Sequence, residues 1–390
     1  MTSKRALYIG HIGSEGTAMA IHSRNIAQVL AINGYQVSFV CQCVPKGKQE
    51  YSKDDKFDYS YTKQYIKIPK LSAVEWMFEE LSGIKLFKLF KKRMRQIKPD
   101  LVIFYGYSAE KKIVNYCKKN NVEIIVDRTD WFEASDREGL FGLIFTKYVA
   151  DKSIEKYDYE ANGVISISKY FYDFYKAGGQ NTIWLPPIFE VAHHDKFKKR
   201  SSEAIRLVYA GSLGGTKDII DPVVECVFSK FNKEKIRFAL NLVGITEEQL
   251  NVRFGKHDWK MVGINAYGRV PHDAAERIVS ESDFSFLLRQ NKRYAKAGFS
   301  TKFAESMSNG VPVICTKVSG ADVLIDNMKN GILIENNEVS TIEATLNKLL
   351  NLTDDEIADM KNAAYDSALK YFDYHAYIEP LRLFIENNRK

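Results

Sequence analysis

The sequence predicts an α/β protein built from two Rossmann-like, doubly wound domains. Three observations predict it. Short apolar runs alternate with amphipathic helical stretches along the chain, as they do where crossover helices link parallel strands. The runs are continuous rather than alternating, as in Leu101-Val102-Ile103-Phe104-Tyr105, and parallel strands covered on both faces read that way. A strand, a glycine-rich turn and a helix open the chain, and the same succession restarts near residue 205. At roughly 150 residues per domain, 390 residues suit two domains.

The first strand spans 5–9 and ends in Gly10-His11-Ile12-Gly13-Ser14-Glu15-Gly16. A helix follows over 17–32, with Ala20, Ile21, Ile26, Val29 and Leu30 on one side and Asn33-Gly34 closing it. The second strand covers 36–41. Further strands are expected at 101–105, 122–126, 163–166 and 182–185, with helices at 110–120 and 170–176. Pro186-Pro187 interrupts the series, and 190–204 turns polar and basic, the composition of a linker. The second half holds strands at 205–210, 238–243, 284–288, 311–315 and 331–334. Its helices fall at 274–280, 301–309, 339–351 and 354–370. The boundaries expected are 1–187, with a returning helix at 371–390, a linker at 188–204, and a second domain at 205–370.

Composition narrows the class. A hydrophobic fraction of 45% with 23 Gly and 9 Pro excludes disordered and collagen-like chains. The five cysteines are scattered, with neither a zinc spacing nor a disulfide framework, so a reducing cytoplasm is expected. No run approaches the ~20 apolar residues of a membrane span. The net charge is +7, from 56 Lys+Arg and 49 Asp+Glu. Residues 1–200 hold 32 and 23 of these, a balance of +9, leaving 24 and 26, or −2, for the rest. The first half therefore faces an anionic partner.

The source is largely 83–99, GIKLFKLFKKRMRQIKP, with seven cations and no acid. Ile84, Phe87, Phe90, Met94 and Ile97 form a stripe at helical spacing. The helix packs on its domain with a basic outer face, or it lies on an anionic membrane. A nucleic-acid surface is disfavoured, because the charge is one helix rather than an aromatic-interleaved platform.

The loop Gly10–Gly16 suits close approach by a ligand at a helix N-terminus. Its Gly-x-x-Gly-x-x-Gly spacing is not the dinucleotide pattern, and no acidic residue follows the second strand to hold a ribose. The second turn, 211–218, carries Lys217 beside a helix start, where a cation makes sense if an anion lies between. The richest stretch is 284–316. Arg289 follows a strand, Gly298-Phe299-Ser300-Thr301 opens a helix, and Lys302 and Glu305 lie three apart on it. Open helix N–H groups with an arginine and a lysine form an anion cradle. After another strand, Asp127-Arg128-Thr129-Asp130 offers carboxylates at a strand's carboxyl end. Asp130 either bonds an acceptor hydroxyl or takes its proton, or caps a helix with Glu133.

Arg289…Gly298-Phe299-Ser300-Thr301-Lys302-Phe303-Ala304-Glu305…Gly310-Val311-Pro312-Val313 resembles the donor-site signature of group 1 retaining glycosyltransferases, of the capsule and cell-wall kind. Tyr209-Ala210-Gly211-Ser212…Lys217-Asp218 is similar to the opening of that family's second domain, and Gly268-Arg269-Val270-Pro271 to its base-lining segment. The resemblance runs in order over nearly the whole chain. It implies the GT-B fold, two Rossmann-like domains facing a cleft with the C-terminal helix crossing back to the first. It implies a hexosyltransferase that moves a sugar from a nucleotide-diphosphate donor to a saccharide or lipid-linked acceptor. Retention, metal independence and surface polysaccharide synthesis come with it. No cofactor is expected beyond the nucleotide-sugar co-substrate, a UDP-sugar foremost.

Carried over, Lys217, Lys302 and Arg289 neutralise the diphosphate, and Asp130 serves the acceptor. Glu305 bonds the ribose, and Arg269 and Val270 offer backbone groups to the base. Gly298, Phe299, Ser300, Thr301, Ser212 and Gly13 line the sugar and phosphates. The chain departs from the family at Ala297, where a glutamate is frequent, and at Ser212, where an arginine is. Tyr105-Gly106-Tyr107 stands where many members have a histidine, and Phe299 replaces a common proline. A nucleotide-sugar 2-epimerase of the same fold and a catalytically silent relative are the alternatives. A cytoplasmic enzyme, peripheral at the inner membrane face, is the expected setting.

Overall fold

The computed structural model describes residues 4–10, 12, 17–42, 51–62, 69–133, 139–195, 197, 202–211, 218–318 and 320–388. It contains two compact units. One is Met1–Phe189 with Ala297–Phe299 and Tyr374–Lys390; the other is Glu190–Lys296 with Ser300–Asp373.

The first unit holds eight strands: β1 (Lys4–Gly10), β2 (Tyr35–Cys41), β3 (Tyr51–Lys53), β4 (Asp58–Tyr61), β5 (Leu101–Tyr105), β6 (Glu123–Arg128), β7 (Gly163–Ser166) and β8 (Thr182–Trp184). They order as β3-β4-β2-β1-β5-β6-β7-β8. All pairs are parallel except β3–β4. The apolar runs are the central strands, as their composition requires: Leu7, Ile9, Val102, Phe104 and Val126 are wholly buried. The chain reverses its direction of growth between β1 and β5, so the carboxyl ends of those strands form the unit's topological switch point.

The sequence reading passes over β3, β4 and two helices, Pro69–Ser82 and Gly139–Phe145. The stretch YSKDDKFDYSY looks polar, yet it is a hairpin. Asp54 Oδ1 accepts from the backbone N–H of Lys56 at 2.9 Å and of Phe57 at 2.7 Å, making the turn. Tyr59 stacks on Phe39 with ring centroids 4.9 Å apart.

The basic helix Ile84–Ile97 turns its stripe inward. Leu86, Phe90 and Met94 are buried in the first unit's core, and Phe87, Leu89 and Ile97 pack against it. Glu79, 1% exposed, caps the helix, accepting from Lys85 N at 3.0 Å and Leu86 N at 2.9 Å. Of the two readings of this helix, packing on its own domain is the one its apolar face obeys.

The C-terminal segment crosses back to the first unit. Tyr374 N donates to Phe189 O at 2.8 Å. Helix Ile378–Asn387 buries Leu381, Phe384 and Ile385 in the core that also holds Leu30, Leu185 and Ile188.

The second unit has six strands: β9 (Ile205–Ala210), β10 (Phe238–Val243), β11 (Ile264–Gly268), β12 (Phe284–Leu287), β13 (Val313–Thr316) and β14 (Gly331–Ile334). All pair in parallel, in the order β11-β10-β9-β12-β13-β14. That is the doubly wound order 3-2-1-4-5-6, with its switch point between β9 and β12. β11 escapes the sequence reading because INAYG carries two small residues and an exposed tyrosine on the sheet edge. The polar stretch after Phe189 is ordered along helix Asp354–Tyr371: His194 N donates to Tyr365 Oη at 3.2 Å and Phe197 N to Asn362 Oδ1 at 3.0 Å.

The described cysteines Cys41, Cys117, Cys226 and Cys315 are free and buried. Among the described residues no helix is long and apolar enough to cross a membrane.

Candidate functional site

In the second unit, the switch point gathers four side chains. β9 ends at Ala210, and Asp218 returns from the glycine-rich turn to bridge Arg289, the second residue beyond β12. Ile219 N donates to Leu288 O at 2.8 Å, which fixes the two loops to each other. Asp218 Oδ1 accepts from Arg289 Nε at 2.7 Å, and Oδ2 accepts from Lys302 Nζ and, at 3.2 Å, from Tyr209 Oη. The Lys302 amine lies 4.8 Å from the Tyr209 ring centroid, a cation–π distance. Arg289 is further held through its backbone: its N–H donates to Thr316 Oγ1 at 3.0 Å, and Thr316 Oγ1 donates to Arg289 O at 2.9 Å.

Burial raises the Asp218 carboxyl, but Arg289 and Lys302 outweigh it and hold the group below the ordinary aspartate range. Tyr209 is pushed up by burial and by the Asp218 charge, so it stays a neutral phenol. Two cations and one carboxylate leave the cluster at net +1. Asp218 orients both cations without cancelling them. Gly211 makes room for this: a Cβ there would land on the Lys302 amine and within 2.8 Å of Tyr209 Oη.

Helix Thr301–Ser308 starts beside the cluster. Its N-cap Ser300 is 4% exposed and extended, and its side chain makes no capping bond, so the first N–H groups stay open. Thr301 is half-buried at the first turn. Glu305, one turn on, is half-buried and has no hydrogen-bond or ion-pair partner among the described residues. Burial raises its carboxyl above the ordinary glutamate value, against the pull of His272 and Lys302. His272 opens the helix that follows Arg269 and Val270, so the loop beyond β11 is near the Glu305 carboxyl. Arg269 is exposed and Val270 half-buried, and neither side chain reaches the Asp218 cluster. Gly298 and Phe299 sit in Ala297–Phe299, a segment that goes with the first unit. Gly13, Ser212 and Lys217 lie outside the described residues.

The first unit has its own polar cluster at the carboxyl ends of β1, β5 and β6. Asp127 accepts from Tyr8 Oη and lies 3.0 and 3.1 Å from His22 Nε2, all three being buried. Arg128, 1% exposed, bonds Asp158 Oδ2 at 3.0 Å, Glu110 Oε1 at 2.9 Å and Gly106 O at 2.7 Å. It thereby ties the loop after β5 to β6. Burial raises the Glu110 carboxyl, with Arg128 pulling against it and Asp158 adding to the rise. Asp130 is two residues beyond this clamp. Thr129 Oγ1 lies 3.4 Å from its Oδ2, and its carbonyl accepts from Tyr107 Oη. No helix begins at 131; the next begins at Gly139, so Asp130 is not a helix cap.

The structure thus brings Arg289 and Lys302 together, sets Ser300, Thr301 and Glu305 beside them, and leaves Asp130 in the other unit. Sequence reasoning missed Asp218 as the hub and His22–Asp127 as a buried pair. The signal for the first was its position at the end of a glycine-rich turn. For the second it was a histidine on the apolar face of a helix.

Comparison with known proteins bears on this arrangement. Residues 193–367 match the family model for glycosyl transferases group 1. An uncharacterized glycosyltransferase of Methanocaldococcus jannaschii is 27% identical over 216 residues, 52% of this chain and 53% of its own. The chain thus spans about half the length of the curated relative it matches. Sucrose-phosphate synthase from Thermosynechococcus elongatus superposes with a TM-score of 0.74 at 14% identity, over 98% of each chain. Anabaena HepE, solved with UDP and glucose, does so with a TM-score of 0.63 at 13% identity, over 98% of this chain and 100% of its own. Residues 193–367 belong to the group 1 glycosyl transferases, and the chain that carries them has the GT-B glycosyltransferase fold.

Proposed function

We propose that this protein transfers a hexose from a nucleoside-diphosphate donor, a UDP-sugar first among them, to a saccharide or lipid-linked saccharide. The observation that carries the reading is the Asp218–Arg289–Lys302 cluster at the second unit's switch point. A net positive, pre-oriented cluster beside an open helix N-terminus suits a diphosphate. Arg289 and Lys302 take the phosphate oxygens, Ser300 and Thr301 present their backbone N–H groups, and Glu305 accepts from the ribose hydroxyls. Arg269 and Val270 offer backbone groups to the base, and Gly298 and Phe299 border the donor sugar. Lys217, Ser212 and Gly13 complete the set on sequence grounds. In the first unit, Asp130 binds the acceptor hydroxyl.

In the reaction the bond from the anomeric carbon to the diphosphate oxygen breaks, and negative charge grows on that oxygen. Arg289, Lys302 and the helix N-terminus stabilise it without reorganising, since Asp218 already holds both side chains in place. This is the charge work a metal performs elsewhere, and the family resemblance implies retention at the anomeric carbon. UDP in the Anabaena structure supports the choice of nucleotide.

The test is a panel of UDP-, GDP- and TDP-sugars with saccharide acceptors, read by release of nucleoside diphosphate and by thermal shift. Release from at least one donor and stabilisation by its diphosphate are expected. No release with any acceptor and no shift with any nucleotide refutes the reading.

A further inference from the structure

One face of the first unit is not accounted for by its own packing. On helix Pro69–Ser82, Val74, Phe78 and Leu81 are 63%, 58% and 40% exposed. They recur at i, i+4 and i+7, so they share one helical face. Ile84, 36% exposed, continues the row past the left-handed Gly83. Single exposed apolar residues are ordinary; a contiguous row of four marks a contact surface. The row is also held in place. Glu79, on the same helix, is buried against the start of the next one, and Lys112 Nζ donates to Ser82 O at 2.6 Å.

The row continues as charge. Lys88, Lys92 and Arg95 lie four, eight and eleven residues beyond Ile84, on one stripe of helix Ile84–Ile97. All three are exposed, and none pairs with a carboxylate among the described residues.

We propose that this surface docks on an anionic lipid bilayer, with Val74, Phe78 and Leu81 entering the interface and Lys88, Lys92 and Arg95 facing lipid phosphates. An apolar row flanked by unpaired cations is what an interfacial helix presents to such a surface. The apolar part is not the stripe of the basic helix itself, which is spent on the core, but the helix before it. A second copy of this chain fits worse, since a two-fold contact through this face sets the same cations against each other.

The test uses the purified full chain with phosphatidylglycerol–phosphatidylcholine vesicles and with phosphatidylcholine alone. The protein should sediment with the first and far less with the second. A Val74→Ser, Phe78→Ser, Leu81→Ser variant should stay in the supernatant. A Lys88→Gln, Lys92→Gln, Arg95→Gln variant should bind on the order of a hundredfold more weakly at low salt, since each cation near an anionic surface counts for roughly fivefold. Both variants should keep the wild-type melting profile and nucleotide-induced shift, which separates this surface from the donor site. A wild-type chain that ignores anionic vesicles overturns the proposal, as does a serine variant that sediments normally. So does a wild-type dimer, indifferent to vesicles, that the serine variant converts to monomer.

Discussion

Lys302→Met tests the donor cluster with the least collateral damage. The replacement keeps the aliphatic stem beside the Tyr209 ring and removes only the charge. Asp218, 6% exposed at its side chain, does not become an orphan: it keeps Arg289 Nε at 2.7 Å and Tyr209 Oη at 3.2 Å. The stability loss should therefore stay below about 2 kcal/mol, smaller than the cost of stripping a buried charge of every partner. Catalysis should suffer more. Removing one pre-organised donor aimed at developing negative charge costs about 3–4 kcal/mol, or roughly 10²–10³ in kcat.

The assay pairs nucleoside-diphosphate release with thermal melts of wild type and variant, with and without UDP. A second signature follows from Asp218. Its folded carboxyl lies below the unfolded value. It therefore contributes stability above the unfolded pKa, and that contribution is lost as pH falls through the folded one. Losing Lys302 moves the folded value up, so the variant should give up that contribution at a higher pH on acidification. Wild-type turnover, or an activity loss matched by global unfolding at the assay temperature, would refute the reasoning.

Three further outcomes are expected. Because burial holds the Glu305 carboxyl above its unfolded value, ionising it costs the folded state, and stability falls as pH rises through that range; Glu305→Gln should melt higher at neutral pH yet lose donor binding, and lowered stability with intact binding would contradict its role. Gly211→Ala sets a methyl group on the Lys302 amine and should weaken UDP binding at least tenfold while the melt stays cooperative; unchanged UDP titrations would mean that Lys302 can move away freely. Lys361 is buried, donates to Ser282 O, and is lowered to about 8, by burial first and by Arg206, against Asp283; the unfolded chain then binds the extra proton between pH 8 and about 10.4, so stability should rise with pH across that window and Lys361→Met should abolish the rise.

The alternation of strands and helices was legible because parallel strands need unbroken apolar runs, and those runs are local. Arg289, Lys302 and Glu305 were legible for the same reason, lying within seventeen residues around one turn. Asp218 was not, because its partners are 71 and 84 residues away. Neither was the bond between His22 and Asp127, 105 residues apart. The hairpin at 51–61 hid behind polar letters, since tyrosine buries its ring while its hydroxyl stays bonded. The basic helix was read correctly as amphipathic, but its composition could not say which body would take the apolar face.

The return of the C-terminal helix has a consequence for how the protein is made. The core around Leu30, Leu185 and Ile188 is filled only when Leu381, Phe384 and Ile385 arrive. At about 5–20 residues per second, some ten seconds or more separate the synthesis of Phe189 from that of Leu381. The unit that leaves the ribosome first is therefore completed last, after the second unit has been synthesised. During that interval its sheet exposes the groove that the final helix will fill. A chain stopped before Tyr374 would keep a whole second unit and leave the first permanently open to chaperones and proteases.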